Sequence, residues 1–171
     1  WRYRGEFVYE FGEGYSTSLD PVGGAAIPQM KEDISAMAGL MGLTYLFRDR
    51  GDSRFDFELS AGSGDDDRLS SSDTFGGNAP NTTDRAFNSL GYVNTGLALA
   101  PDVTNLLTIR AGASTNPFKS SGYFFENMRV GVDGYLFMKI DEDAPISATT
   151  LPGERFVGGE IDLFLAWRMM S

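Results

Sequence analysis

The 171-residue sequence contains no cysteine and no histidine. Without cysteine there are no disulfides, no thiolate metal sites and no cysteine nucleophile. Without histidine the chain lacks the usual general base of a serine hydrolase and the commonest zinc ligand. Basic residues are also few, since 14 Lys and Arg against 24 Asp and Glu give a net charge of −10, which argues against nucleic-acid binding. We therefore expect no catalytic residues, no cofactor and no nucleic-acid partner.

A long hydrophobic run is missing as well, because no apolar stretch approaches the roughly 20 residues that a membrane-spanning helix needs. What the sequence has instead is alternation of apolar and polar residues with period two. The first segment, 1–11, shows this most clearly. Its apolar positions are Trp1, Tyr3, Phe7, Tyr9 and Phe11, and its polar positions are Arg2, Arg4, Glu6 and Glu10. Such a strand suits a wall with lipid on one side and water on the other.

Six segments of this kind predict six β-strands. Their predicted bounds are 1–11, 34–47, 54–63, 105–115, 122–139 and 156–170. The connectors alternate between long, at 12–33, 64–104 and 139–155, and short, at 48–53 and 115–121. Long loops on one edge and tight turns on the other are typical of outer-membrane β-barrels.

A soluble β-sandwich is the alternative, since period two alone does not distinguish an apolar core face from a lipid face. Two features favour the membrane. Sandwiches do not sort their loops by length, and Trp1, Tyr3, Tyr9 and Trp167 lie near strand ends, as interfacial aromatics do. The sequence therefore predicts an all-β fold, an antiparallel transmembrane β-barrel in one domain over 1–171. It would contact membrane lipid in the bacterial outer membrane.

Several short motifs occur in the order seen in the alginate-export family of outer-membrane barrels, and the chain resembles that family. Phe57–Asp67 is similar to the family's junction between an aromatic strand and an Ala-Ser-Gly-Asp-like loop, and 73–75 with 86–92 resembles the following loop. The segment 105–114 with Pro117 resembles its Asn-Leu…Arg-x-Gly strand, and 158–163 with Trp167-Arg168 its Gly-x-Glu strand. The resemblance implies a barrel of about eighteen strands that passes an anionic polysaccharide through a charged pore.

Six strands are too few to close a barrel of that size, and an open sheet would leave two unpaired edges in lipid. We therefore expect the chain to be a segment of a larger barrel, or to be completed by further chains.

The polar positions of the strands predict a set of pore-lining residues. They are Arg2, Arg4, Glu6, Glu10, Arg54, Asp56, Glu58, Arg110, Arg129, Asp133, Lys139, Glu160, Asp162 and Arg168. The arginines could bind the carboxylates of a passing polyanion, but acids and bases are balanced, which favours pairing across strands for most of them. Arg110, Arg129 and Arg168 are the predicted pore contacts, because they lie on strands covered by the resemblance.

Two acidic runs, Asp65-Asp66-Asp67 and 141–143, offer carboxylates that could bind calcium. Neither has the spacing of an EF-hand, so solvated acidic loops are favoured and no metal is expected. The function expected is thus an outer-membrane channel for an alginate-like polysaccharide or other charged solutes. Three alternatives remain: a general diffusion porin, a structural barrel with a plugged pore, and a soluble carbohydrate-binding β-sandwich.

Overall fold

The computed structural model describes residues 1–18, 24–68, 78–88, 93–119, 124–148 and 153–168. These residues form six strands, β1 (Arg2–Tyr15), β2 (Lys31–Leu46), β3 (Arg54–Gly62), β4 (Leu106–Thr115), β5 (Met128–Lys139) and β6 (Phe156–Trp167). Every strand pairs antiparallel with the next one along the chain, in the order β1-β2-β3-β4-β5-β6. The predicted all-β antiparallel fold is confirmed. In the described part of the chain the sheet is open, with β1 and β6 at its free edges.

The strand bounds differ from prediction most at the end of β1, at the start of β2, which begins at Lys31 and not at 34, and at the start of β5. β1 continues to Tyr15 and pairs with the start of β2, where Lys31 Nζ lies 2.8 Å from Glu13 Oε2. β5 begins at Met128 and not at 122, because the residues from 124 to 127 form a turn and Thr115, the last residue of β4, pairs with Val130. The predicted end of the sixth strand, 169–170, lies outside the described residues.

A bulge near the start of β6 overturns the predicted orientation of Val157. Phe137 pairs with Gly158 but Met138 pairs with Phe156, so one extra residue is inserted in β6. Val157 was expected on the apolar face. It packs instead on the opposite face, beside Tyr135 and Phe137.

The short connector between β2 and β3 is a tight turn docked on the end of β4. Asp49 Oδ1 accepts a hydrogen bond from the Ser53 amide at 2.8 Å, and Asp52 adopts a left-handed backbone with φ of 45°. Hydrogen bonds from the Ser53 hydroxyl and amide lower the pKa of Asp49. The Asn116 amide donates to the Gly51 carbonyl at 2.7 Å. The two short connectors therefore meet at one end of the sheet, as the alternating loop lengths predict.

One face of the sheet is apolar across all six strands. The strand register gives a transverse row with one residue from each strand, Tyr3, Leu43, Phe57, Ala111, Gly134 and Ile161. Much of this face is bare, since Tyr3, Phe7, Ile161 and Leu163 are 88%, 71%, 77% and 80% exposed. No second layer covers the face within the described ranges.

The polar face is the one that is covered. At the end with the long connectors, Phe87 packs on Ala36 and Ala38 of β2, and Ile146 packs in a cluster with Leu106 and Tyr135. The buried hydrophobic clusters thus lie between the long connectors and the polar face. A soluble sheet normally buries its apolar face, so the arrangement is reversed.

The exposed area agrees with this arrangement. Surface-to-mass scaling predicts about 8,200 Å² for a compact monomer of this mass. The chain of 18.6 kDa exposes 10,795 Å². The difference is consistent with an apolar face that the chain itself does not bury. Among the described residues, no helix is both long and apolar enough to cross a membrane.

Two anchors hold the long connectors to the sheet. The segment around Asp84 pairs with the edge of β2 beyond the end of β3, through the Ser35 amide to the Asp84 carbonyl and the Asp84 amide to the Asp33 carbonyl, both at 2.8 Å. Asn105 is fully buried and its side chain binds the connector after β5. Its Nδ2 donates to the carbonyls of Asp141 (2.9 Å) and Ala144 (2.8 Å), and its Oδ1 accepts from the Asp141 amide at 2.8 Å.

Candidate functional site

Most of the predicted pore-lining residues lie together on the polar face. One transverse row of the sheet consists of Arg4, Gly42, Glu58, Arg110, Tyr135 and Glu160. The adjacent row consists of Arg2, Thr44, Asp56, Gly112, Asp133 and Asp162. Eight residues of the predicted set thus fall in two neighbouring rows. Glu6 and Arg54 lie on the same face on either side of these rows, and Arg129 lies one row nearer the short-turn end.

Arg110 is held in place by residues of β5. Its Nη2 and Nε donate to Asp133 Oδ1 at 2.8 and 3.1 Å, and its guanidinium carbon lies 6.0 Å from the centre of the Tyr135 ring. Gly112, the direct cross-strand partner of Asp133, leaves room for the Asp133 carboxylate. The pair is largely buried, with side-chain exposures of 16% and 11%. Arg110 therefore forms a cross-strand ion pair, as the balanced charges predict for most of the set.

Glu58 is buried between two arginines. It forms an ion pair with Arg4 across β2, and Arg110 is its direct cross-strand neighbour on β4. Arg4 can reach Glu58 because Gly42, which lies between them, has no side chain. A buried carboxylate with two cations beside it is charge-compensated.

Asp56 is held by its neighbours on two strands. Thr44 Oγ1 donates to Asp56 Oδ1 at 2.7 Å, and Arg54 Nε lies 2.9 Å from Asp56 Oδ2. A hollow of about 300 Å³ lies on this part of the polar face. Asp56 lines it together with Arg2, Arg4 and Arg110. The hollow is charged and water-accessible and lies in the middle of the polar face.

A second hollow, of about 410 Å³, lies at the short-turn end. Arg129 and Arg168 line it together with Asn116, Asn127 and Trp167. Arg129 Nη1 donates to Ser114 Oγ at 2.9 Å. In the ranges that the structure describes, no carboxylate forms an ion pair with Arg129 or Arg168. Of the three predicted pore contacts, Arg110 is paired and these two are available to an anion.

Glu160 has a role that its position in the sequence pattern does not indicate. Its carboxylate accepts three backbone hydrogen bonds, from the amides of Leu97 and Ala98 to Oε1, both at 2.7 Å, and from Leu99 to Oε2 at 3.0 Å. It therefore binds a connector rather than facing free solvent. The signal for this in the sequence is weak, since Gly96 alone marks a special backbone conformation near the bound amides.

Asp65, Asp66 and Asp67 offer three carboxylate oxygens within 4.8 Å of one another. Asp65 is buried, and its two oxygens accept hydrogen bonds from the amides of Asp67 and Arg85, each at 3.0 Å. In the other acidic run, the Asp143 amide donates to Asp141 Oδ1 at 3.0 Å, and Glu142 pairs with Arg155 at 3.2 Å. The arrangement assigns Asp65 and Asp141 a part in shaping their connectors.

No protein-family model matches this chain, and no curated protein matches it significantly in sequence.

Proposed function

We propose that this sheet is part of the wall of a transmembrane β-barrel in the bacterial outer membrane. In this proposal the apolar face contacts lipid and the charged face lines a water-filled channel for anionic solutes. The observation that supports it most is the reversal of the two faces, in which the apolar face is bare and connectors pack on the polar face at the long-connector end. The apolar face is continuous over six strands, so in water it would be a strongly unfavourable surface.

The strand lengths fit a bilayer. Tilted transmembrane strands need roughly 9–11 residues. The shortest strand here, β3, has 9 residues and the others have 10 to 16. Each strand is therefore long enough to cross the hydrocarbon layer.

Aromatic residues cluster at the short-turn end of the sheet, as in the girdles of membrane barrels. The Trp1 and Tyr45 rings lie 4.4 Å apart at one side of this end, and the Phe124 and Trp167 rings lie 4.4 Å apart at the other. Trp167 Nε1 also donates to the Phe124 carbonyl at 3.2 Å. Tyr and Trp rings are largely apolar but carry a hydroxyl or N–H group, and such side chains favour the membrane–water interface.

The free edges of β1 and β6 require further strands in a membrane. Unpaired backbone N–H and C=O groups in hydrocarbon each cost several kcal/mol, which is about the full value of a lost hydrogen bond there. The proposal therefore includes additional strands that close the wall, supplied by the same polypeptide or by further chains.

The lumen chemistry supports passage of anions without any covalent step. A carboxylate that enters a narrow passage loses part of its hydration shell. Fixed arginines replace the lost hydrogen bonds with charge-assisted ones. Arg129 and Arg168 provide such positions at the short-turn end. The resemblance to the alginate-export family supports an anionic polysaccharide as the solute. The ion pairs Arg4–Glu58 and Arg110–Asp133 neutralise the positive charge of two arginines in the wall. The wall then attracts anions less strongly, which favours a general porin as the second candidate.

Conductance in planar bilayers tests the proposal and separates these candidates. The purified protein is expected to form channels whose current is reduced by a soluble uronate polymer added on one side. A neutral glucan of the same length is the control and should leave the current unchanged. Channels that neither polymer blocks would indicate a general porin. The absence of any conductance would contradict a channel and leave the structural barrel.

A further inference from the structure

The segment 93–100, which we call the strap, lies over the polar face at β6. Glu160 binds it through the three amides of Leu97, Ala98 and Leu99. On its C-terminal side the strap continues into chain that is anchored to the connector after β5. The Asp102 amide donates to Ser147 Oγ at 2.8 Å. The strap therefore lies against the β6 side of the face that the proposed function assigns to the lumen.

Three consecutive amides that converge on one carboxylate form a backbone nest, an arrangement that binds anions. The conformation depends on Gly96, whose φ of +98° is in the region that favours glycine. A side chain at this position would also collide with the ligand, since a Cβ would lie 2.7 Å from Glu160 Oε2. Both features indicate that the nest is shaped around a carboxylate.

Two further carboxylates lie close to Glu160. Asp162 lies two residues after Glu160 on the same face of β6. Asp133 of β5 is the cross-strand partner of Asp162. The nearest cation in the register, Arg110, is engaged with Asp133. Glu160 is therefore held by the three amides, against repulsion from nearby carboxylates.

From this geometry we propose that the amides of Leu97, Ala98 and Leu99 form a carboxylate-binding nest with Glu160 as its internal ligand. The bound carboxylate holds the strap against the lumen surface and so narrows the channel; this second part rests on the proposed function. When the Glu160 side chain is removed, the nest accepts a small free carboxylate such as acetate.

Amide hydrogen exchange of the full protein in detergent or bilayer discs tests the nest without any need for channel activity. In Glu160→Ala the three amides should exchange roughly ten-fold faster or more, since each loses a charge-assisted hydrogen bond. Sodium acetate should slow this exchange again, whereas sodium chloride at the same ionic strength should not. Gly96→Ala should speed the exchange with the charge of the wall unchanged, and acetate should not restore it.

The matched control is Glu154→Ala, which removes an exposed carboxylate from the connector before β6, outside the predicted pore-lining set, and should leave the strap amides unaffected. If exchange of the Leu97–Leu99 amides is the same in Glu160→Ala and in the unaltered protein, the nest is not held by Glu160 and the proposal is wrong. Faster exchange that acetate does not slow would contradict a carboxylate-selective nest.

Single-channel conductance tests the second part. Glu160→Ala and Gly96→Ala should both raise the conductance, because the strap no longer narrows the pore, and Glu154→Ala should leave it unchanged. If amide exchange is faster but the conductance is unchanged, the nest is retained, and the claim that the strap narrows the channel is wrong. If the unaltered protein conducts no current, the proposed function fails, and the exchange experiment still decides whether the nest exists.

Discussion

Replacing Phe7 with arginine is expected to lower the free energy of unfolding in a bilayer by about 2–4 kcal/mol, the cost of a charged side chain near the middle of the lipid-facing surface of a barrel. Phe7 lies halfway along β1 on the apolar face and is 71% exposed. The measurement is a urea titration of the protein refolded into lipid vesicles, followed by tryptophan fluorescence.

Val8→Arg is the matched control, because Val8 is the next residue on the same strand, is partly exposed, and lies on the polar face. It should change the free energy of unfolding by no more than about 0.5 kcal/mol, as exposed substitutions usually do. If the apolar face met water, arginine would be tolerated at both positions. Equal, small effects of Phe7→Arg and Val8→Arg would therefore contradict the assignment of the two faces.

Replacing Asn105 with alanine is expected to cost about 3–5 kcal/mol, since the change leaves two carbonyls and one amide without their buried partner. These groups belong to Asp141 and Ala144 in the connector after β5. The loss should also free that connector, so a protease should cut within 140–148 much faster than in the unaltered protein. Urea unfolding and timed proteolysis measure the two effects.

Two further substitutions separate the causes. Asn105 has a left-handed backbone with φ of 55°, which asparagine tolerates better than alanine does. Asn105→Gly removes the side-chain bonds without that backbone cost and should retain most of the destabilisation. Asn88→Ala, at an exposed asparagine at the same end of the sheet, should have little effect. If Asn105→Gly is as stable as the unaltered protein, the hydrogen bonds of Asn105 do not anchor the connector.

The strands and their faces could be predicted from the sequence because both depend on a local signal, the alternation of side chains along an extended chain. The segment from Arg54 to Gly62 shows this most clearly, since its predicted and observed bounds differ by one residue. The row that contains Arg4, Glu58 and Arg110 follows from the same parity once the register is known.

What could not be predicted depends on contacts between residues distant in the chain. The bulge that turns Val157 to the other face arises from the pairing of β6 with Phe137 and Met138. The neighbouring Gly158-Gly159 is compatible with either a bulge or close strand packing and does not fix the position of a bulge. The alternation pattern places Glu160 on the polar face of β6, as it does the other predicted pore-lining residues. The amides that bind Glu160 lie 61 to 63 residues earlier, in a connector without periodicity. Asn105 begins the segment that resembles an Asn-Leu…Arg-x-Gly strand. Its hydrogen bonds to the connector after β5 could not be predicted, because they depend on how that connector folds.

The most direct test of the central claim is the accessibility of spin labels along β1 in lipid vesicles. The chain contains no cysteine, so single cysteines can be introduced and labelled without background. Labels at Tyr3, Gly5, Phe7 and Tyr9 are expected to collide with oxygen dissolved in the lipid, and labels at Arg4, Glu6 and Val8 with a water-soluble nickel chelate. That alternation with period two would establish lipid on one side and water on the other. Labels at Phe7 and Tyr9 that the nickel chelate reaches freely, or that neither reagent reaches because protein covers them, would contradict the account.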